Sequence, residues 1–135
     1  MANLIMRPMT AESFARYLER SVAGYAESKV KAGAWPAEGA LERSRQDFAK
    51  FLPKGLESPG QRLFDLVLAA SGETVGHLWL DVEFPRDPGN AFIYDIQIDA
   101  DHRGRGLGRA ALDLADEVAR KHGCREMRLQ VFGDN

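Results

Sequence analysis

Apolar residues recur at helical spacing near the start of the chain. Phe14, Tyr17, Leu18, Val22 and Tyr25 fall three or four residues apart, the period of one face of an α-helix. Thr10 offers an N-capping hydroxyl ahead of this stripe, and Gly33 with Pro36 ends it, so a helix is expected from Thr10 to about residue 32. Leu4 to Arg7 reads as a short strand stopped by Pro8. A second helix is expected from about Glu38, with Leu41, Phe48, Phe51 and Leu52 on its apolar side, ending at Pro53-Lys54-Gly55. Glu57-Ser58-Pro59-Gly60 is a turn.

Beyond that turn the period becomes two. Leu63 to Ala70 is apolar and strand-like, and Ser71-Gly72-Glu73 reads as a hairpin turn. Thr74 to Glu83 alternates, with Leu78, Leu80, Val82 and Phe84 on one face and His77, Trp79, Asp81 and Glu83 on a face expected to be solvated. After a loop at Pro85 to Gly89, a further strand puts Phe92, Tyr94, Ile96 and Ile98 on one face, and Ile93, Asp95, Gln97 and Asp99 on the other. The helical period then returns from Gly106 to His122, where Leu107, Ala110, Ala111, Leu114, Ala115 and Val118 form a stripe. Asp116/Arg120 and Glu117/Lys121 are i,i+4 pairs on its wet side, and Gly123 is a C-terminal stop. A last strand is expected from about Met127 to Phe132. The order is an α/β fold: two N-terminal helices, antiparallel strands, then a β-α-β unit expected to be a right-handed parallel crossover.

Composition narrows what such a fold does. At 135 residues a single domain is expected over 1–135. The formal charge of −2, with acids interleaved among Arg120, Lys121, Arg125 and Arg128, argues against a nucleic-acid binder. The single cysteine, Cys124, rules out an intrachain disulfide and is read as a packing residue. His77, His102 and His122 lack metal-ligand spacing, so no metal is expected. Met1 to Met9 lacks the apolar core of a signal peptide, and no run approaches a membrane span, so a cytoplasmic protein is expected.

The informative stretch is "DHRGRGLGR", Asp101 to Arg109, between the alternating strand and the last helix. The first amide groups of a helix lack intrahelical partners, and its dipole adds positive charge. Gly104, Gly106 and Gly108 let an anion approach the backbone, and Arg103, Arg105 and Arg109 deepen the potential. This is the chemistry of a phosphate or pyrophosphate cradle. The glycine spacing fails the dinucleotide pattern G-x-G-x-x-G at Arg109, and no G-x-x-x-x-G-K-[ST] is present.

Arg103, Gly106 and Gly108 match the R/Q-x-x-G-x-G/A signature, and with the element order around it the chain resembles the GNAT N-acetyltransferases over nearly its whole length. "YAESKVKAGAW" and "FLPKGLESPG" are similar to segments of small bacterial members. The resemblance implies acetyl-CoA as co-substrate, with Arg103, Gly104, Arg105, Gly106, Leu107, Gly108 and Arg109 around the pyrophosphate. It implies that Ile96, Gln97 and Ile98 contact pantetheine and that Asn135 contacts the cofactor. Tyr17, Tyr25 and Trp35 are read as packing the N-terminal helices, which the resemblance puts beside the acceptor channel.

The implied reaction is acetyl transfer to a primary amine of a small molecule or protein, which needs a base for the amine proton. Asp95, an acid in a largely apolar strand, is the candidate catalytic residue, ahead of His77 and Glu83. In several relatives a glutamate on the last strand does this work, but Gln130 stands at the matching position and cannot accept a proton. Resembling proteins continue with a further helix, whose tyrosine often protonates the thiolate, and two more strands. The domain is therefore expected to be C-terminally incomplete, to transfer acetyl groups poorly alone, and to form a homodimer through its last strand. A non-catalytic CoA-binding or assembly module of the same fold is the alternative.

Overall fold

The computed structural model describes residues 3–83 and 89–129. Phe84, Gln130, Phe132 and Asn135, which the sequence reading used, lie outside the described residues. The elements are β1 (Leu4–Pro8), α1 (Ala11–Lys31), α2 (Ala40–Phe51), β2 (Gln61–Leu68), β3 (Thr74–Asp81), β4 (Asn90–Ile98), α3 (Leu107–Lys121) and β5 (Glu126–Leu129), with short 3₁₀ turns at Gly55–Glu57 and Ala100–His102. They fall into two compact units, one carrying the sheet and α3, the other carrying α1 and α2.

In the helical unit, α1 starts on a reciprocal cap. The Thr10 hydroxyl accepts the Ser13 amide at 3.1 Å, and the Ser13 hydroxyl accepts the Thr10 amide at 2.9 Å, which satisfies two amides that a helix start otherwise leaves open. The apolar side of α2 differs from the expected one. Leu41 and Phe51 are 44% and 40% exposed, whereas Ala40, Ser44 and Phe48 are buried one turn apart. The reason is close helix approach: buried Ser44 donates to the Val22 carbonyl of α1 at 2.7 Å, and a small hydroxyl serves that contact better than a large apolar side chain. Leu41 instead lines a groove of about 610 Å³ with Phe14, Leu18, Val22, Phe48 and Leu52. Tyr25 packs edge-on against Trp35 and Phe48, as the expected role of the aromatic residues requires.

The sheet has strand order β1-β2-β3-β4-β5; all neighbours are antiparallel except β4 and β5, which are parallel across α3. One face packs on α3 through Leu66, Leu78, Leu80, Ile93, Leu107 and the small residues Ala111, Ala115 and Ala119. Alanines at every fourth position allow the helix to lie close to the strands. The helix stops as expected at Gly123: the Cys124 amide bonds the Ala119 carbonyl and the Gly123 amide bonds that of Arg120, the two bonds of a Schellman cap. Asp116 and Arg120 pair at 2.8 Å on the exposed side.

Two expectations about faces are corrected. The face of β3 read as solvated is buried at Trp79, which has no exposure, and at Asp81, which has 3%; His77 is half-buried and Glu83, past the strand end, is exposed. A polar relay makes this tolerable. The Trp79 indole donates to Gln61 Oε1 at 2.6 Å, Gln61 Nε2 donates to Asp81 at 3.0 Å, and Asp81 also accepts the Glu83 amide at 2.9 Å. On β4 the alternation is not uniform. Trp79 pairs with Asp95 but Leu80 pairs with Ile93, so Tyr94 is an extra residue. This β-bulge exchanges the faces on either side of it: Ala91 and Ile93 meet the α3-side core before it, Ile96 and Ile98 after it. Tyr94, expected beside Ile96 and Ile98, stacks instead on Trp79 at 5.0 Å.

β3 and β4 approach closely at Gly76. A Cβ there would fall on the Gln97 carbonyl oxygen and lie 3.2 Å from Ile98 Cα, and backbone cannot swing aside as a long side chain can. Gly76→Ala is expected to lower stability by about 1–3 kcal/mol, read as a lower urea midpoint at unchanged slope.

Candidate active site

The glycine-rich turn leads from the 3₁₀ turn into α3. Gly106 is the N-cap, in the left-handed region at φ 76°, and contributes no side-chain cap. The first intrahelical bond runs from the Ala110 amide to the Gly106 carbonyl at 3.1 Å, so the amides of Leu107, Gly108 and Arg109 precede the helical ladder. The first turn of α3 holds no acidic residue, unlike α1 with Glu12 and α2 with Glu42. A Cβ built at Gly104, Gly106 or Gly108 would meet nothing within 4 Å. Arg103, Arg105 and Arg109 are exposed around this opening. An anion thus has both room and donors, and the residues fit a pyrophosphate.

The turn is held in place by side chains. Arg103 Nε donates to the Ile98 carbonyl at 2.9 Å, closing the end of β4. His102 Nε2 lies 3.1 Å from Glu73 on the β2–β3 hairpin. Neither tie was foreseen, because each depends on a strand neighbour remote in sequence.

β4 brings the other candidates together. Its pairing with β5 runs from Asn90–Glu126 to Ile93–Leu129 among the described residues, and Ile96, Gln97 and Ile98 follow. The side chains of Ile96 and Ile98 pack toward the core and that of Gln97 is exposed. Asp95 and His77 meet: Asp95 Oδ2 lies 3.0 Å from His77 Nε2, with the side chains 23% and 13% exposed. Glu83 is exposed and does not join them. Asn135 lies outside the described residues.

Cys124 packs as expected. It is buried, its thiol donates to the Val82 carbonyl at 3.4 Å, and burial, with the nearby Asp81 charge, pushes its pKa up. A thiol held protonated is a poor nucleophile.

The mixed sheet thus feeds β4 through a glycine-rich turn into α3, and a histidine–carboxylate pair bridges β3 and β4 beside it; the comparisons give the class, an acyl-CoA-dependent transferase. The chain belongs to the acetyltransferase (GNAT) family, whose model matches residues 29–135. It is 40% identical over 132 residues to the uncharacterized N-acetyltransferase YycN of Bacillus subtilis, covering 98% of this chain and 84% of that protein. It is 32% identical to the uncharacterized N-acetyltransferase YdgE of the same organism, over 96% of this chain and 82% of that one. The crystal structure of Bacillus subtilis YycN superposes with a TM-score of 0.85 at 41% identity, over 96% of this chain and 82% of that chain. The protein is an acetyl-CoA-dependent acyltransferase. No helix among the described residues is long and apolar enough to cross a membrane.

Proposed function

We propose that this protein transfers the acetyl group of acetyl-CoA to a primary amine of a small molecule or protein, and that residues 1–135 act as one acetyltransferase domain. The observation that carries the site assignment is the start of α3, which has no side-chain cap, no acid in its first turn and open space before three glycines. Acetyl-CoA supplies an activated thioester. The amides of Leu107, Gly108 and Arg109, with Arg105 and Arg109, hold its pyrophosphate. Arg103 holds the turn through Ile98 and adds positive charge. The backbone of Ile96, Gln97 and Ile98 lies along the pantetheine arm, and the proton of the attacking amine leaves toward Asp95 and its partner His77. The family match spans residues of both compact units, which supports a single domain.

The test is calorimetric titration with acetyl-CoA, followed by turnover on an alkylamine, an arylalkylamine, a polyamine and a peptide α-amine. Saturable binding with release of free CoA on at least one amine is expected. Binding without turnover would instead support a non-catalytic CoA-binding module, and no binding would remove the cradle assignment.

A further inference from the structure

We infer that His102 and Glu73 are positioning residues for the acetyl-CoA cradle, and that the bond between them fixes the glycine-rich turn in its binding conformation. This rests on the cradle reading above. His102 is the last residue of the 3₁₀ turn, just ahead of Arg103 and Gly104. Its Nε2 lies 3.1 Å from Glu73 Oε2 on the β2–β3 hairpin. The other ring nitrogen, Nδ1, is buried and meets no hydrogen-bond partner, the single side-chain nitrogen or oxygen in that state among the described residues. Buried polar atoms are nearly always paired, so an exception calls for a cause. Stability does not supply one, because an apolar side chain would fill the same place without the unpaired nitrogen. The Nε2 contact is that cause, since an apolar residue cannot make it.

The turn needs such a contact. Gly104 and Gly106 both lie in the left-handed region, at φ 81° and 76°. The freedom that opens this backbone to an anion also gives the unliganded turn conformations to lose on binding. At its far end α3 fixes it, through the Ala110 amide and the Gly106 carbonyl. At its near end the Asp99 amide bonds the Val75 carbonyl at 2.8 Å, the His102 amide bonds the Asp99 carbonyl at 2.9 Å, and Arg103 Nε bonds the Ile98 carbonyl at 2.9 Å. Of the near-end ties, those to Val75 and Glu73 are the ones that reach beyond β4 and the turn itself. Glu73 is a firm anchor: its carbonyl accepts the Leu68 amide at 2.9 Å, and its amide donates to Ser71 Oγ at 3.2 Å.

An ionised carboxylate only accepts hydrogen bonds, so His102 Nε2 is the donor in this pair. The tie therefore needs one N–H at that point and nothing from Nδ1. Glutamine, whose amide nitrogen reaches about as far as Nε2, meets that need. Glu73 is exposed and its anchoring bonds are made by its main chain, so removing its carboxylate cuts the tie and leaves hairpin and core intact. What changes is the ordering that the tie secures in the free protein, and that ordering contributes to affinity.

The experiment measures acetyl-CoA affinity by calorimetry for wild type, His102→Ala, Glu73→Ala, the double variant and His102→Gln, with a thermal melt for each. Steady-state kinetics on an amine that wild type accepts accompany it. Each alanine variant is expected to bind acetyl-CoA roughly 3–10-fold more weakly. The double variant is expected to bind no more weakly than the worse single one, because the same bond is missing in all three. His102→Gln is expected to bind like wild type. In the alanine variants KM for acetyl-CoA is expected to rise while kcat stays, a split that a general loss of stability would not produce. Losses that add in the double variant, a His102→Gln as weak as His102→Ala, or a kcat that falls at constant KM would each overturn the assignment. Should the melt show His102→Ala unfolded, Glu73→Ala and His102→Gln decide by the same affinities. A wild type that does not bind acetyl-CoA overturns the cradle reading and this inference with it. A wild type that binds while Glu73→Ala matches it overturns this inference alone.

Discussion

Asparagine in place of Asp95 is expected to lower acetyl transfer by roughly 10²–10⁴-fold while leaving acetyl-CoA affinity nearly intact. The two side chains are almost the same size, and the asparagine amide oxygen can still accept from His77 Nε2, now 3.0 Å from the carboxylate. What disappears is the carboxylate's capacity to take up a proton, which an amide lacks. The proposed cradle is the start of α3, while Asp95 lies on β4, so the proposal makes binding and chemistry separable in this variant. Steady-state kinetics with a good amine, alongside calorimetry with acetyl-CoA, provides the check. Turnover equal to wild type would reduce Asp95 to a partly buried hydrogen-bond acceptor.

The parts of the molecule that sequence makes legible are those whose cause is local. The cap of α1 depends on Thr10 and Ser13, three residues apart, and the stripe of α3 depends on a repeat within one helix. The glycine-rich start of α3 is of the same kind: its open backbone and missing side-chain cap follow from Gly104, Gly106 and Gly108 within one turn. The Schellman cap at Gly123 likewise spans only residues 119 to 124.

Features set by packing between elements were read less well. Alternation on β4 is ambiguous because Phe92, Ile93 and Tyr94 are large and apolar in succession, and such a run cannot say which residue a bulge leaves unpaired. The same ambiguity hid the partnership of His77 with Asp95, since both were named but only the shifted register brings them to one face. On α2, Ser44 lies outside the apolar set read for that helix and is buried, because the contact with α1 calls for a small side chain at closest approach. Trp79 and Asp81 looked solvated because the side chain that joins them, Gln61, comes from a strand whose start was placed two residues late.

Valine at position 108 is expected to weaken acetyl-CoA binding by roughly 10–100-fold without loss of stability. Gly108 is the second residue of α3, and a Cβ there meets no atom within 4 Å, so the free protein accommodates a side chain without rearrangement. The same open space is where a pyrophosphate must enter to reach the amides of Leu107, Gly108 and Arg109, and a branched side chain would hold it off. Loss of one hydrogen bond to a charged group costs about 1.5–3 kcal/mol, which corresponds to the stated change in dissociation constant. Gly106→Val should also abolish tight binding, but it confounds the measurement: φ at this residue is 76°, and forcing a β-branched residue there costs about 1–3 kcal/mol of strain in the free protein. Arg103→Ala is the contrasting variant. Its guanidinium already bonds the Ile98 carbonyl and is exposed to solvent, so its electrostatic share is worth no more than about fivefold and fades with added salt. Calorimetry at low and high salt, paired with thermal melts, separates the three. If Gly108→Val melts like wild type and binds acetyl-CoA equally well, the pyrophosphate does not sit on the start of α3.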